Sequence, residues 1–393
     1  PITADMLKYV SGFGSGLGAP SGIDTRWLTA DVQAAAALID AYGIPGVLQA
    51  GNNRSVEEED LGGFLQLDFN TQLGTIPVRG NVGVRYVETT TTSTGQVSGT
   101  SVTVERSYED TLPSANVTFE MRDDFFIRLA AAKVMARPSL GNLTPGGALD
   151  SFNGPSFRYN SGNPALDPFR ATTYDASFEW YFQEESLIAL SLFYKDVDSF
   201  FTRASTLEVP YSQSGLPLSL PPASSPLRNL LDAGQDPLVE IRAVENGGSA
   251  SVKGFELTYQ QPFSFLPAPF DGFGFQGNYT YVDSDEIRGF SPNAYNATLY
   301  YEKDRLSARI SAAYRDAYQT VAPNASGRDE QGYSSTTNID FSSSYKLNDN
   351  FDITFEAINL TDEFEQQVFD AGDLVNVYHH TGTEYLLGFR YRY

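Results

Sequence analysis

The sequence predicts an all-β fold, a transmembrane antiparallel up-and-down β-barrel, and three observations predict it. Segments of ten or more residues alternate apolar and polar side chains with period two. Tight polar turns alternate with long Pro/Gly-rich connections down the chain. Aromatic residues are abundant, with 23 Tyr, 27 Phe and 2 Trp, and they gather on the apolar side of the alternation. A soluble sandwich alternates too, but in strands of about five or six residues with a turn about every 8–12. The segments here have the length that a tilted strand needs to cross a bilayer, about 9–11 residues.

Composition narrows the function classes. The chain has 393 residues, 41% hydrophobic and 19% charged, so it orders a large structure and is not a disordered acidic tail. A net charge of −23 with only 26 Lys+Arg excludes nucleic acid as a partner, because phosphate contacts need a basic footprint. There is no run of about 18 apolar residues for a membrane-spanning helix, and PITADMLKYV has neither the basic start nor the apolar run of a signal peptide. With 0 cysteines, disulfides and thiolate sites are excluded, and the redox compartment stays open.

Helical patterning occurs once, in LTADVQAAAALIDAYGIP. Thr29 is placed to cap, Val32, Ala36 and Ile39 share a face, and Gly43 with Pro45 closes the turn, which predicts a helix near 30–42. From Leu61 onward the period becomes two. Thirteen strands are expected near 61–70, 77–92, 110–122, 125–136, 170–182, 186–200, 250–262, 272–285, 290–302, 304–318, 333–346, 350–360 and 381–393. In RLSARISAAYRD, Leu306, Ala308, Ile310, Ala312 and Tyr314 oppose Ser307, Arg309, Ser311 and Arg315. TEYLLGFRYRY sets Tyr385, Leu387, Phe389, Tyr391 and Tyr393 against Leu386, Gly388, Arg390 and Arg392. Phe275, Ile310, Phe341 and Phe389 are therefore expected on a lipid face, with Gln276, Arg309 and Asp340 on an interior face.

The turns NTQLG, RDDF, FQEES, EKDR and LNDN, and the longer PFSFLPAPFDG, fall on one end of such a meander. The long connections 137–169, 201–249, 319–332 and 361–380 fall on the other. Short periplasmic turns and long extracellular loops are the pattern of an outer-membrane barrel. Thirteen strands leave two edges, and those near 61–70 and 381–393 are expected to seek partners outside this chain.

Several stretches carry more specific wording: NVGVRYVET (81–89), LPSANVTFEMRDDFFIRLAAAKVMARP (112–138), GNPALDPFRATTYDASFEWYF (162–182), VKGFELTYQQPF (252–263), FSPNAYNATLYYEKDRLSARISAAYRD (290–316) and FEAINLTDE (355–363). In this order they resemble the C-terminal barrel of a TonB-dependent outer-membrane receptor, in particular the branch abundant in Caulobacter-like and Xanthomonas-like bacteria. The resemblance covers about 61–393. It implies a barrel of 22 strands, of which these are the last thirteen, with residues 1–60 in the preceding extracellular loop. It also implies an N-terminal half with a plug and nine strands, energy coupling through TonB with ExbB and ExbD, and an outer-membrane setting of lipid and lipopolysaccharide. The terminal Tyr393 is similar to the recognition signal of the barrel-assembly machinery.

No catalytic constellation emerges, and neither an enzyme, a cofactor nor a metal site is expected. The only histidines, His379 and His380, read as a solvated loop pair. The run EEED (57–60) and the pair Asp283 and Asp285 lack calcium-loop spacing and read as solvated charge, and GSGLG (14–18) reads as a flexible loop. The Asn-x-Ser/Thr triplets are chance matches in a bacterial family. Arg85, Glu179, Lys195, Glu256, Arg309, Arg315, Asp340 and Glu356 form a polar inner wall.

For ligand contact the candidates are Arg158, Tyr159, Asn160 and Asn163 of SFRYNSGNP, with Tyr211 and Tyr318, a mixture of rings and amides that suits sugars. Loop packing is the simpler reading of the same residues. The cations Arg137, Arg158, Arg203, Arg228 and Arg242 are scattered over two loops, which favours a neutral oligosaccharide over an anionic ferric siderophore. A passive porin is the structural rival. A hydrolase barrel would need a Ser/His pair at a strand end, which is absent.

Overall fold

The computed structural model describes residues 7–11, 27–31, 54–97, 100–151, 157–205, 208–223, 225–284, 286–321, 331–369 and 374–392. Its main feature is one sheet of thirteen strands that follow one another in space as in sequence. They are β1 (Ser55–Leu73), β2 (Ile76–Val97), β3 (Thr100–Arg122), β4 (Phe125–Ala136), β5 (Phe169–Gln183), β6 (Ser186–Ser199), β7 (Ala250–Pro262), β8 (Phe273–Ser284), β9 (Asn293–Lys303), β10 (Leu306–Arg315), β11 (Thr336–Asn348), β12 (Phe351–Ile358) and β13 (Glu384–Tyr391). Every neighbour is antiparallel. The path is open, and β1 and β13 are its two ends, not partners.

The connections alternate as expected. On one end, hairpins join β1 to β2, β3 to β4, β5 to β6, β9 to β10 and β11 to β12, with 263–272 between β7 and β8. Gly74, Glu185 and Asp304 sit in these turns at φ of 65°, 55° and 53°, the left-handed backbone that a two-residue hairpin demands. All the long connections leave from the other end.

Register settles which side chains share a face. Phe275 is opposite Leu299, Leu299 opposite Ile310, Ile310 opposite Phe341, Phe341 opposite Ala357, and Ile353 opposite Phe389. Directly opposed residues point the same way, so the expected lipid set lies on one continuous apolar face. Gln276, Thr298, Ser311 and Asp340 make an equivalent row on the other. The eight inner-wall residues expected above all fall on that polar face. There they bond across strands, as in Arg128 with Glu179 at 2.8 and 3.2 Å and Thr298 with Ser311 at 2.9 Å.

Two belts of rings frame the apolar face. The turn-side belt includes Trp180–Phe182 (5.5 Å between centroids), Phe182–Tyr259 (6.3 Å) and Phe273–Tyr301 (4.9 Å). The loop-side belt includes Tyr174–Tyr194 (6.4 Å), Phe255–Tyr281 (5.8 Å) and Tyr295–Tyr314 (4.9 Å). From Tyr174 to Trp180, or from Tyr295 to Tyr301, is about 20 Å of strand at roughly 3.4 Å per residue. That matches an apolar band about 25 Å tall flanked by aromatic girdles. Open hydrocarbon contact explains why Leu65, Ile310 and Phe389 are exposed, at 75%, 43% and 65%.

The structure departs from the sequence reading in strand length. β1 begins at Ser55, six residues early, β2 runs to Val97, and β3 begins at Thr100, not near 110. The reason is chemical. Above the loop-side belt the outward face of these strands is polar too and β2 carries threonines on both faces, so period two fades from the sequence while the backbone ladder continues. Thr90 with Ser107 and Thr94 with Thr103 bond across it at 2.9 Å each. Short strands also occupy the long connections, described below.

Within the first fifty residues, a separate unit, Leu7–Val10 pairs antiparallel with Trp27–Ala30. Thr29, expected as a helix cap, lies in this pair. Ala30, where that helix is expected to begin, pairs with Leu7 in the same ladder, and Asp31 follows it outside any helix. Residues 32–42, the GSGLG loop and Tyr393 lie outside the described residues.

Replacing Ile310 by Arg at the middle of the apolar face should cost about 2–4 kcal/mol of folding free energy in bilayers. Arg309→Gln, one residue away on the polar face, should stay within about 0.5 kcal/mol. Denaturant titration of the full receptor refolded into vesicles measures both.

Candidate functional site

The connections β4–β5 and β6–β7 fold together into a second sheet. Its strands are Gly147–Ser151, Phe157–Ser161, Phe201–Ser205, Val209–Pro210 and Leu238–Asn246, with a helix at Pro226–Asp232. The helix starts on Ser225, whose Oγ accepts from the Arg228 amide at 3.2 Å, and carries Pro226 in its first turn. Leu238–Asn246 pairs in parallel with Phe157–Ser161, which welds the two connections into one body. Phe157, Tyr159, Tyr211, Leu227 and Val239 are its buried core, packed by Leu149, Leu216, Leu220 and Ile241.

Most candidate ligand residues support this body. Tyr159 lies in the core, and Tyr211 is 2% exposed with its hydroxyl donating to the Pro217 carbonyl at 2.7 Å. Burial pushes the Tyr211 hydroxyl up to about 12 and raises Tyr159 in the same direction. Asn163 donates to the Val244 carbonyl at 3.1 Å and accepts from the Ala165 amide at 2.9 Å. Arg158 lies 3.3 Å from Glu240, a carboxylate 2% exposed that also accepts from Arg242 Nε and Nη2 at 2.9 Å each. Asn160, next along the strand, pairs in register with Arg242.

A second group was not legible in the sequence. Arg137 reaches from the end of β4 to Asp60 of β1 at 2.6 Å and Thr89 of β2 at 3.3 Å, with Glu58 3.6 Å away. Arg170 bonds Asp110 at 2.5 Å, and Arg106 pairs with Asp167. Both guanidiniums approach the Tyr108 ring, at 5.9 and 6.0 Å. Thr89, Thr91 and Ser93 are buried beneath, at 0%, 2% and 1% exposure. The run EEED thus alternates, with Glu58 and Asp60 serving Arg137. Their shared parity was the one available signal.

Tyr318 sits apart from the other five candidates. The connections β10–β11 and β12–β13 form a third sheet of Tyr318–Val321, Gln331–Tyr333, Glu365–Phe369 and Leu374–His379. Between it and the β8–β9 connection opens a cleft of about 570 Å³, lined among others by Arg288, Phe290, Tyr318, Gln319, Tyr333 and Val368. The rings of Tyr318 and Tyr333 stack at 5.3 Å and 15°. The Arg315 guanidinium stands 4.1 Å from the Tyr318 centroid, and Arg288 bonds Gln319. Rings, amides and guanidiniums in one recess suit a polar, ring-shaped ligand. His380 bonds Asp362 at 2.8 Å, and among the described residues no cluster of three or more metal-binding side chains occurs.

A wall with one apolar and one polar face, ringed by aromatic belts and crowned at one end by folded connections, defines an outer-membrane β-barrel with a receptor-like loop end. Residues 7–360 match the family described as TonB dependent receptor-like, beta-barrel, and the chain belongs to that family. Its homologues are outer-membrane proteins of Gram-negative bacteria.

Solved structures agree on the fold. The chain is similar to the ferric-catecholate import receptor Fiu from E. coli K12 (14% identity, TM-score 0.55, 86% of this chain and 45% of that one). It is similar to the ferric yersiniabactin uptake receptor FyuA from Yersinia pestis (12%, 0.55, 86% and 46%) and to the siderophore receptor PirA from Acinetobacter baumannii (14%, 0.52, 98% and 58%). The chain spans about half the length of these receptors, from 45% to 58%. No curated protein matches it.

Two outcomes follow for the cap. Glu240→Gln leaves two guanidiniums facing a neutral amide and should raise the population of the open second sheet by about 3 kcal/mol, the low end for a broken buried pair because both arginines keep some exposure. Protease cleavage within 200–249, with the barrel intact, reports it. Raising the pH should act similarly. Tyr211 ionises near 10.0 when unfolded and near 12 when folded, so its contribution is complete below pH 10 and is lost as pH rises toward 12. Cleavage of the same segment should rise in that window, and less so in Tyr211→Phe.

Proposed function

We propose that this chain is the C-terminal part of a TonB-dependent receptor that imports a nutrient across the outer membrane, energised through TonB with ExbB and ExbD. In this reading an N-terminal half supplies a plug and nine strands, which pair with the exposed edges of β1 and β13. Residues 1–60 belong to the extracellular end, where β1 begins at Ser55, and residues 61–393 to the barrel with its folded connections. The barrel-assembly machinery inserts it among lipid and lipopolysaccharide. No covalent chemistry is involved, and a plugged lumen distinguishes it from a passive porin.

The ligand we favour is a neutral oligosaccharide. The observation that carries this is the commitment of the loop cations. Arg137 is taken by Asp60 and Glu58, Arg158 and Arg242 by Glu240, and Arg228 by Asp232 at 2.9 Å. Among the described side chains of these connections, a concentrated field for an anionic iron complex is therefore missing. The cleft at Tyr318 and Tyr333 offers ring faces and amides instead. A ferric siderophore is the second reading. Arg288 in the cleft and Arg315 against the Tyr318 ring favour it, and the similar solved receptors are described as receptors for ferric siderophores.

The test is uptake by a strain lacking the whole receptor, restored with wild type or with Tyr318→Ala/Tyr333→Ala. Oligosaccharide uptake should disappear on deletion and fall about tenfold in apparent affinity in the double variant, two ring contacts of about 0.5–1.5 kcal/mol each being lost. Loss of ferric-siderophore uptake alone, with all tested oligosaccharides unaffected, would overturn the saccharide reading.

A further inference from the structure

The inner face of the wall beneath the Tyr318 cleft is built of amides and hydroxyls. Arg315 marks its top, against the Tyr318 ring, and Asn278, Asn296 and Asn338 lie in the next inward row down, across β8, β9 and β11. Gln276, Thr298, Ser311 and Asp340 make the row below. Asn296 donates to Asn278 at 3.3 Å, and Thr298 bonds Ser311 at 2.9 Å. On the inner face of β2–β5 closed ion pairs stand instead, Arg79 with Glu120 and Arg128 with Glu179.

A ring stands at the foot of this column. Tyr300 of β9 is directly opposite Gly274 of β8, and the end of its ring occupies the place that a β-carbon on Gly274 would take. Only glycine leaves that space, so Tyr300 lies across the bare inner face of β8, half-buried. Its row continues through Arg309 of β10, Ser342 of β11 and Glu356 of β12. Arg309 and Glu356 are exposed and enter no ion pair among the described residues. The charges nearest the ring are otherwise acidic: Glu302, two residues on, and Glu185 of the β5–β6 turn, both exposed. Asp340, two residues from Ser342, accepts from the Asn359 amide at 2.8 Å. From the row of Arg315 to that of Arg309 is about 20 Å of strand.

We propose that Tyr300 is the platform of a lumenal sugar subsite, which receives a neutral pyranose unit of the transported saccharide after it leaves the cleft at Tyr318 and Tyr333. This rests on the oligosaccharide reading. A ring laid along the sheet offers its open face to the C–H face of a pyranose. Arg309, Glu302 and Gln276 surround it at about one strand spacing or one inward step, roughly 5–7 Å, and supply the donors and acceptors that sugar hydroxyls need. One cation among Glu302, Glu185, Asp340 and Glu356 disfavours an anionic iron complex, whereas carboxylates accept readily from neutral hydroxyls. The column above lets the saccharide exchange one set of hydrogen bonds for the next about every 7 Å of descent. The subsite acts on passage through the lumen and not on capture outside it.

The test uses the receptor-deletion strain restored with whole-receptor variants at equal surface amounts. Two quantities are read, oligosaccharide bound by de-energised cells and the maximal rate of uptake by energised ones. Tyr300→Ala should leave bound saccharide at the wild-type level and lower the maximal rate about fivefold, one ring contact being lost. Gly274→Val should act alike by forcing the ring off the sheet, and Tyr300→Phe, which keeps the ring, should recover the rate to within about twofold of wild type. Wild-type rates in both Tyr300→Ala and Gly274→Val would overturn the subsite and leave the oligosaccharide reading standing. Absence of oligosaccharide uptake by wild type would overturn both. A lowered rate joined to new sensitivity to a large glycopeptide antibiotic would also overturn the subsite, because the ring would then be seating the plug.

Discussion

In hydrocarbon, a backbone N–H or C=O without a partner costs several kilocalories, and no water is there to relieve it. Everything in the wall follows from that. Strands pair with their sequence neighbours because the nearest available ladder is the one a short turn away. They run long because the ladder must outlast the apolar band. They alternate because one face meets lipid and the other an aqueous interior, and a slip by one residue would exchange Ile310 with Arg309. The open edges at β1 and β13 obey the same rule, since neither satisfies the other.

Beyond the belts the governing interaction changes from backbone pairing to charge pairing. Glu240 holds two arginines in the second sheet, and Asp60, Glu58, Asp110 and Asp167 hold three more against the extended strands. A chain of net charge −23 has carboxylates to spare and few cations. Among the described residues, these arginines serve architecture. The recess beside Tyr318 and Tyr333 keeps its rings near solvent, whereas Tyr159 and Tyr211 are buried in the core of the second sheet.

The wall was legible in the sequence because lipid imposes a two-residue period that a reader can see, and the register bears out the face of each side chain tested, Phe275, Ile310, Phe341 and Phe389 against Gln276, Arg309 and Asp340. Its upper ends were not, because threonines on both faces of β2 erase the period while the ladder persists. The loop sheets were hidden for another reason. Phe157–Ser161 meets Leu238–Asn246, and Arg137 meets Asp60, across separations that no local pattern encodes. A tyrosine in a polar loop, such as Tyr211, looks like a ligand contact until the core around it is seen.

The parallel pairing of Phe157–Ser161 with Leu238–Asn246 bears on the order of events during assembly. Wall hairpins close loops of a few residues, which is fast, whereas this pair closes one of about eighty, and closure entropy rises with length. Its two halves are held near each other only after β5 and β6 have been laid side by side between them. The crown therefore forms late, on a finished stretch of wall, and the newborn loops stay unjoined until the strands beneath them have crossed the membrane.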